Sequence, residues 1–476
     1  AIASCDVLVY DYLAAEPIVA LAPPGCEKIY VGKKAGAHTL SQEAITALIV
    51  RLAQDGRRVV RLKGGDVFVF ARGGEEAQAL HDAGIRFEII PGITSAIAAP
   101  AYAGIPITHR DHNTSFTIAT GHEDPTKGFS SLDFAKLANP AQTLVFLMAM
   151  GNLRGIVEQL LAHGMPAHTP TAIVREGTKP TQETIVATLG TIVDEVERTR
   201  FAAPAIVVIG EVVSEREHIR WFDNGPLFGK RVLITRPAGQ ADEFAERLWE
   251  VGAQPVLAPT IAIGPPDDVC AAEAAVDGAR AYQWIIFTSR NGVQAFFRRL
   301  ASQGRDARAL GDVRLAAIGS GTAAALAAHG IRADYVPQRF IGEDLAAGLL
   351  EQTAPGDRVL LYRAQDARDI LPVTLNAHGR TVDTIAAYKS SFVSDSAIAE
   401  SARECDVWTF TSARAVHAFI AAAGDVSQLI EGKLVACIGP ITAAAAREAG
   451  LRVDVVADTY TVEGLLDALS TALVVP

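Results

Sequence analysis

The chain has 476 residues, 49% of them hydrophobic and 20% charged, with a formal net charge of −11. That length exceeds one ordinary hydrophobic core and predicts two to four domains, while the acidic balance argues against a nucleic-acid surface. No apolar run approaches the roughly 18 residues of a membrane span, and residues 1–11 lack the basic start of a signal peptide.

Cys5, Cys26, Cys270, Cys405 and Cys437 lie far apart in the sequence with no Cys-x-x-Cys. That predicts a reducing compartment, with neither a disulfide frame nor structural zinc. The expectation is a soluble cytoplasmic protein with no membrane partner and no metal.

Residues 1–11 read as a helix end followed by a strand at Val7–Tyr10. An α/β domain ordinarily opens with a strand and a ligand loop, so the expectation is a chain incomplete at its N-terminus. Val59-Val60-Arg61-Leu62 reads as a buried strand, Gly64-Gly65-Asp66 as the turn at its carboxyl end, and Gly73-Gly74-Glu75-Glu76 as a helix start. The glycines bare the backbone and Asp66 sets a carboxylate at the rim, where open α/β sheets bind small molecules. A plain strand–turn–helix connection is the alternative for these three residues alone.

Residues 205–209 read as a closing strand, Asp223-Asn224-Gly225-Pro226 as punctuation, and residues 231–235 as the first strand of a new domain.

The second half repeats itself. Residues 229–236 match 356–363, Trp284-Ile285-Ile286-Phe287-Thr288-Ser289 matches Trp408-Thr409-Phe410-Thr411-Ser412, and Ala317-Ile318-Gly319 matches Cys437-Ile438-Gly439. Short apolar strands alternate with Ala-rich helices in each copy, which predicts two parallel α/β lobes and a cleft between them. Gly319-Ser320-Gly321 followed by Ala324 mimics a dinucleotide fingerprint, but Ile441 replaces the second glycine in the other copy and no acid stands about 20 residues on. That argues against nicotinamide binding.

Val9-Tyr10-Asp11, Val31-Gly32-Lys33-Lys34-Ala35-Gly36, Arg61-Leu62-Lys63-Gly64-Gly65-Asp66, Ile90-Pro91-Gly92-Ile93-Thr94-Ser95 and Thr108-His109-Arg110-Asp111 together resemble uroporphyrinogen-III C-methyltransferases. The likeness runs through nearly all of residues 1–222. It implies a two-lobed tetrapyrrole methyltransferase fold, a homodimer, and S-adenosyl-L-methionine held in the crevice by Gly64, Gly65, Asp66, Val69, Thr94, Ser95, Met148 and Gly177. For Met148 taken alone, core packing is the alternative. The same resemblance makes Asp11 the base and Lys33 an acid or anion anchor. Arg72, Arg110 and Lys34 become partners of substrate carboxylates, with solvated surface charge as the alternative. Val67 and Ala71 depart from the family pattern, and its first Gly- and Pro-rich loop is absent.

Residues 229–476 resemble uroporphyrinogen-III synthases, through Val232-Leu233-Ile234-Thr235-Arg236-Pro237, the two Phe-Thr-Ser segments, Ala386-Ala387-Tyr388 and the duplication. The implied unit is a duplicated two-lobed parallel α/β fold, one lobe being 229–262 with 390–476 and the other 267–384. Arg236, Ser289, Ser412 and Thr442 would bind the carboxylates of a linear tetrapyrrole, and Tyr388 would assist departure of its hydroxyl. Helix capping is the alternative for the hydroxyls, and an interface aromatic for Tyr388. The function implied is tetrapyrrole biosynthesis: ring closure to uroporphyrinogen III, then double methylation. Two other readings stand beside it, a first half serving only as a dimerisation scaffold and a methyltransferase for another substrate such as a ribosomal RNA base.

Overall fold

The computed structural model describes residues 1–32, 40–121, 132–339, 341–367 and 369–474. The chain divides into two compact units: Ala1–Lys230 with Trp249–Gln254, and Arg231–Leu248 with Pro255–Pro476. Among the described residues, no helix is long and apolar enough to cross a membrane.

The first unit holds two sheets. β1 (Val7–Tyr10) lies between β2 (Glu27–Tyr30) and β3 (Val59–Leu62), parallel to both. Side chains alternate across a strand, so Val7 and Val9 pack on Ile45, Ile49 and Leu52 of the helix Gln42–Gln54, while Leu8 joins Cys5, Val19 and Ala22 on the other face. β3, expected to be buried, is half-buried along its whole length. Cys5 and Cys26, remote in sequence, bring their sulfurs to 3.3 Å. Burial and then the Cys26 contact push the Cys5 thiol up to about 11.

The second sheet comprises β4 (Phe116–Thr120), β5 (Thr143–Leu147), β6 (Pro170–Arg175), β7 (Glu183–Thr188) and β8 (Ala205–Ile209), in the order β4-β5-β8-β6-β7. β5 and β8 are buried throughout, because apolar residues cover both faces. β8 runs antiparallel to β5 and β6, so the carboxyl ends of β4, β5 and β6 share one edge.

The second unit reproduces the repeat as topology. Its strands are β9 (Arg231–Ile234), β10 (Gln254–Leu257), β11 (Ile261–Gly264), β12 (Trp284–Phe287), β13 (Arg314–Ala317), β14 (Arg358–Ala364), β15 (Thr381–Phe392), β16 (Val407–Phe410), β17 (Leu434–Cys437) and β18 (Val455–Val456). One sheet is ordered β10-β9-β16-β17-β18 and the other β11-β15-β14-β12-β13. Aligning β9 with β14, β16 with β12 and β17 with β13 superposes both the sequence repeat and the strand order. The second sheet is not wholly parallel as expected: β11 pairs antiparallel with β15.

The 223–226 punctuation is anchored. The Asp223 side chain is 4% exposed and accepts from Arg216 Nη2 at 2.8 Å and Arg220 Nε at 2.6 Å. Burial opposes its ionisation, but hydrogen bonds from the two arginines outweigh it and hold the carboxyl below its ordinary value. Asp223→Ala strands both guanidiniums and should lower the stability of the first unit by roughly 3–5 kcal/mol in denaturant titrations. The folded value lies below the unfolded one of about 3.9. The stabilisation is therefore complete above that pH and is lost as pH falls through the folded value.

Candidate functional site

The end of β3 is held by backbone contact. Gly65 has φ +76°, and a Cβ added at Gly92 would lie 2.1 Å from the Gly65 carbonyl oxygen. Asp66 closes the same junction, its carboxylate accepting from Gly92 N at 3.0 Å and Phe68 N at 2.8 Å. Those backbone bonds, Gly92 first, draw the Asp66 carboxyl below its usual range. Val69 N bonds back to Asp66 O, completing the turn.

Two residues on, Thr94 caps the helix Ser95–Tyr102 through Ala96 N, and Ser95 is its first residue. Gly177 lies flush against Ala99 of that helix, where a Cβ would come within 2.5 Å of the Ala99 Cβ. The structure thus brings Gly64, Gly65, Asp66, Val69, Thr94 and Ser95 together around one junction, with Gly177 packed against the same helix.

Six non-glycine residues among those described have left-handed φ: Phe70, Arg72, Met148, Glu176, Thr178 and Arg200. All but Arg200 follow the carboxyl ends of β3, β5 and β6. Such conformations cost of order 1–3 kcal/mol each and persist where function or packing fixes them. Met148 is 51% exposed, so the core-packing alternative does not hold. Tyr12, Leu13, Phe68, Phe70 and Ile93 are likewise exposed apolar groups, flanking the ends of β1 and β3 and the 90–94 segment. No sequence pattern announces backbone strain, and Glu176 and Thr178 were not anticipated as site residues.

Asp11 is tied into a charged network. Its Oδ2 accepts from Arg61 Nη2 at 2.8 Å and its Oδ1 from Leu13 N at 3.2 Å. Glu76 Oε1 receives Arg61 Nε, Lys63 Nζ at 3.1 Å and Gln42 Nε2 at 2.9 Å. The Lys63 and Glu76 side chains are each 7% exposed. Burial, then repulsion from Arg61, lowers the Lys63 ammonium from its ordinary value, and Glu76 opposes the shift. The Arg-Leu-Lys spacing held the signal for this network: alternate residues of a strand share a face.

The remaining predicted residues of this unit fare differently. Arg72 pairs with Glu75 at 2.6 Å on the surface. Arg110 is exposed. Lys33 and Lys34 lie outside the described residues.

In the second unit, Ser289 caps the helix Arg290–Ser302 by accepting from Gly292 N at 3.1 Å, and its hydroxyl lies 3.0 Å from Tyr388 Oη. Tyr388, on β15, is buried and borders a cleft of about 330 Å³ with Asn291, Arg298 and Arg299. Ser412 is the matching cap in the other lobe. Thr442 is not at a helix start as expected. It is the third residue of the helix Pro440–Glu448 and is buried, because Pro440 begins the helix and Gly439 takes the cap position.

Arg236 has a buried Nη1 with no hydrogen-bond partner among the described residues. Burial, then the neighbouring Arg290, lowers its guanidinium from the ordinary value. Gln240 Nε2 meets Asn291 Oδ1 at 2.6 Å, and a Cβ at Gly321 would lie 3.3 Å from Arg290 Nη2. Arg290 Nη2 thus reaches the start of the helix Ser320–Ala327, while Glu243 offsets part of the charge on Arg236, and the two guanidiniums could hold an anion. Arg290 follows the Phe-Thr-Ser segment directly, a position the repeat marked but charge alone did not single out.

The tetrapyrrole (corrin/porphyrin) methylase family model matches residues 1–193, and the uroporphyrinogen-III synthase HemD model matches residues 242–467. A porphyrin biosynthesis protein HemD of Ruminiclostridium josui is 38% identical over 472 residues, covering 98% of this chain and 93% of that protein. The chain belongs to this fused methylase–synthase family.

An S-adenosyl-L-methionine-dependent uroporphyrinogen III methyltransferase of Methanosarcina barkeri is 49% identical over 210 residues, 44% of this chain and 82% of that one. Among solved structures, a uroporphyrin-III C-methyltransferase from Thermus thermophilus complexed with S-adenosyl homocysteine aligns with a TM-score of 0.38. It is 36% identical and covers 45% of this chain and 89% of that one. The chain spans about half the length of the siroheme synthases it also matches.

Glu76→Gln should destabilise the first unit by roughly 3 kcal/mol in urea, since it removes the carboxylate charge that balances Arg61 and Lys63. Glu75→Gln, on the exposed pair with Arg72, should leave the transition nearly unchanged.

Proposed function

We propose that this member of the family catalyses two consecutive reactions. The second unit, residues 229–476, closes hydroxymethylbilane to uroporphyrinogen III. The first, residues 1–222, methylates that product twice, towards precorrin-2. The observation that carries the reading is the buried, unpartnered Arg236 Nη1 beside Arg290. Such a pair calls for an anionic ligand, and the substrate is a polycarboxylate.

Ring closure is mainly a problem of fixing one conformer of a flexible chain. Arg236 and Arg290 would grip carboxylates, and Ser289 with Ser412 would offer hydroxyls from corresponding helix caps. Tyr388 Oη, 3.0 Å from Ser289 Oγ, would deliver its proton to the departing hydroxyl, with Ser289 orienting it.

The residues of the first unit suit S-adenosyl-L-methionine. Gly64 and Gly65 let the backbone pack closely, Gly64 against Leu13 and Gly65 against Thr94 and Ser95, Met148 offers a soft apolar contact, and the capped helix at Thr94 and Ser95 presents N–H groups. Bound there, the cofactor supplies a methyl group on a sulfonium. Asp66 would orient hydroxyls while keeping its loop closed, and Val69 and Gly177 would line the crevice. Asp11, whose Oδ2 accepts from Arg61 Nη2, would take the proton that the methylated pyrrole must lose. Lys33 and Arg72 remain proposed contacts for substrate carboxylates, Arg72 after releasing Glu75, whereas Arg110 is exposed on the turn that leads into the amino end of β4, at the far end of that sheet from the crevice. The protein would act in the cytoplasm as a homodimer formed through the first unit, without nucleic acid.

With hydroxymethylbilane and S-adenosyl-L-methionine, the full chain should give a doubly methylated product. Release of only the spontaneous isomer I would contradict the reading. Tyr388→Phe should lower the ratio of isomer III to isomer I about tenfold or more, while methylation of supplied uroporphyrinogen III stays unchanged. An unaltered ratio removes the role given to Tyr388.

A further inference from the structure

Away from both candidate sites, the first unit brings together His109, His112 and Glu215. One donor atom from each lies within 4.8 Å of the others. The imidazoles sit 4.9 Å apart by ring centroid, and His112 Nε2 lies 2.6 Å from Glu215 Oε1. All three are half-buried, so a cation could enter from solvent.

The segments that carry them are rigid. Asn113, 8% exposed, donates to Ile107 O, Ser115 O and Thr143 Oγ1 and accepts from His109 N, all within 3.1 Å. That pins the turn bearing both histidines to the first residue of β5. Glu215 ends the 3-10 turn Glu211–Glu215, which buries Val212 and Val213. The next residue, Arg216, is fixed to Ala103 O and Asp223.

We propose that His109, His112 and Glu215 form a binding site for a divalent transition metal of the zinc class. Two imidazoles and one carboxylate select zinc or cobalt over magnesium or calcium, and three protein ligands leave a fourth position for water. Tetrahedral bonds of about 2.1 Å set donors about 3.4 Å apart. Closing the set therefore needs side-chain adjustments, while the metal replaces the proton shared by His112 and Glu215. The site lies at the amino ends of β4 and β5. The left-handed residues after β5 and β6 lie at the other end of this sheet, the length of β5 away, about 17 Å. The metal's role is accordingly to tie the 107–113 turn to the 211–215 turn, outside the chemistry of the crevice.

The test is titration of the reduced, chelator-treated full chain with Co²⁺, followed by its visible ligand-field bands, with Zn²⁺ as competitor. One equivalent should saturate the signal and raise the melting temperature. His112→Ala and Glu215→Gln should each weaken binding at least about tenfold, with far-UV circular dichroism unchanged. Cys26→Ser should leave binding intact, since Cys5 and Cys26, whose sulfurs lie 3.3 Å apart, are the competing site for a soft metal. The proposal is overturned if binding is not saturable, if it survives both His112→Ala and Glu215→Gln, or if it disappears with Cys26→Ser.

Discussion

The crevice of the first unit depends on a backbone-to-backbone approach that no side chain could share. Gly65 O stands where a Gly92 Cβ would have to go, and Asp66 seals the contact by accepting from Gly92 N. This junction joins the carboxyl end of β3 to the segment that starts the helix Ser95–Tyr102. That helix packs on the second sheet through Ala96 and Ala99. The loop therefore needs Asp66 as an acceptor, and the proposed role toward the cofactor falls to its remaining lone pairs. The strained residues after β3, β5 and β6 then lie where open sheets place their ligands.

The second unit answers a different demand. Its two sheets share one strand order, so corresponding helix caps at Ser289 and Ser412 adopt nearly the same backbone, with φ of −163° and −162°. Duplication supplies the paired caps, but the lobes diverge where chemistry is specific. Arg290 follows Ser289 directly, whereas Ala413 follows Ser412 and Arg414 turns to Ser390 O. Tyr388 likewise belongs to one lobe only. Arg290 and the tyrosine are thus additions to a repeated frame in which Arg236 has a counterpart, Arg363.

Much of this was legible in the residues. The α/β class, the repeat, the strand–turn–helix around Gly64-Gly65-Asp66 and the capping serines follow from periodicity and turn chemistry, which are local. Features that depend on long-range approach were not. The sulfurs of Cys5 and Cys26 meet across 21 positions, and His112 meets Glu215 across 103, so spacing gave no warning of either. Arg61, Lys63 and Glu76 were visible as part of a motif, yet their mutual neutralisation emerges only when β3 and the helix Gly73–Asp82 pack together. Thr442 was displaced from its expected cap by the preceding proline, a local rule that competed with the hydroxyl and won. Met148 shows the reverse: its composition suited a core, while its left-handed backbone and exposure set it at the rim.

The central claim is that the Gly65–Gly92 contact shapes a cofactor crevice independent of the ring-closing unit. Calorimetric titration of Gly92→Ala with S-adenosyl homocysteine tests it most directly, beside an assay of ring closure on the same preparation. The account predicts binding to the unaltered chain, its loss in Gly92→Ala, and unchanged formation of uroporphyrinogen III. Equal affinity in the two proteins, or no binding to the unaltered chain, would contradict it.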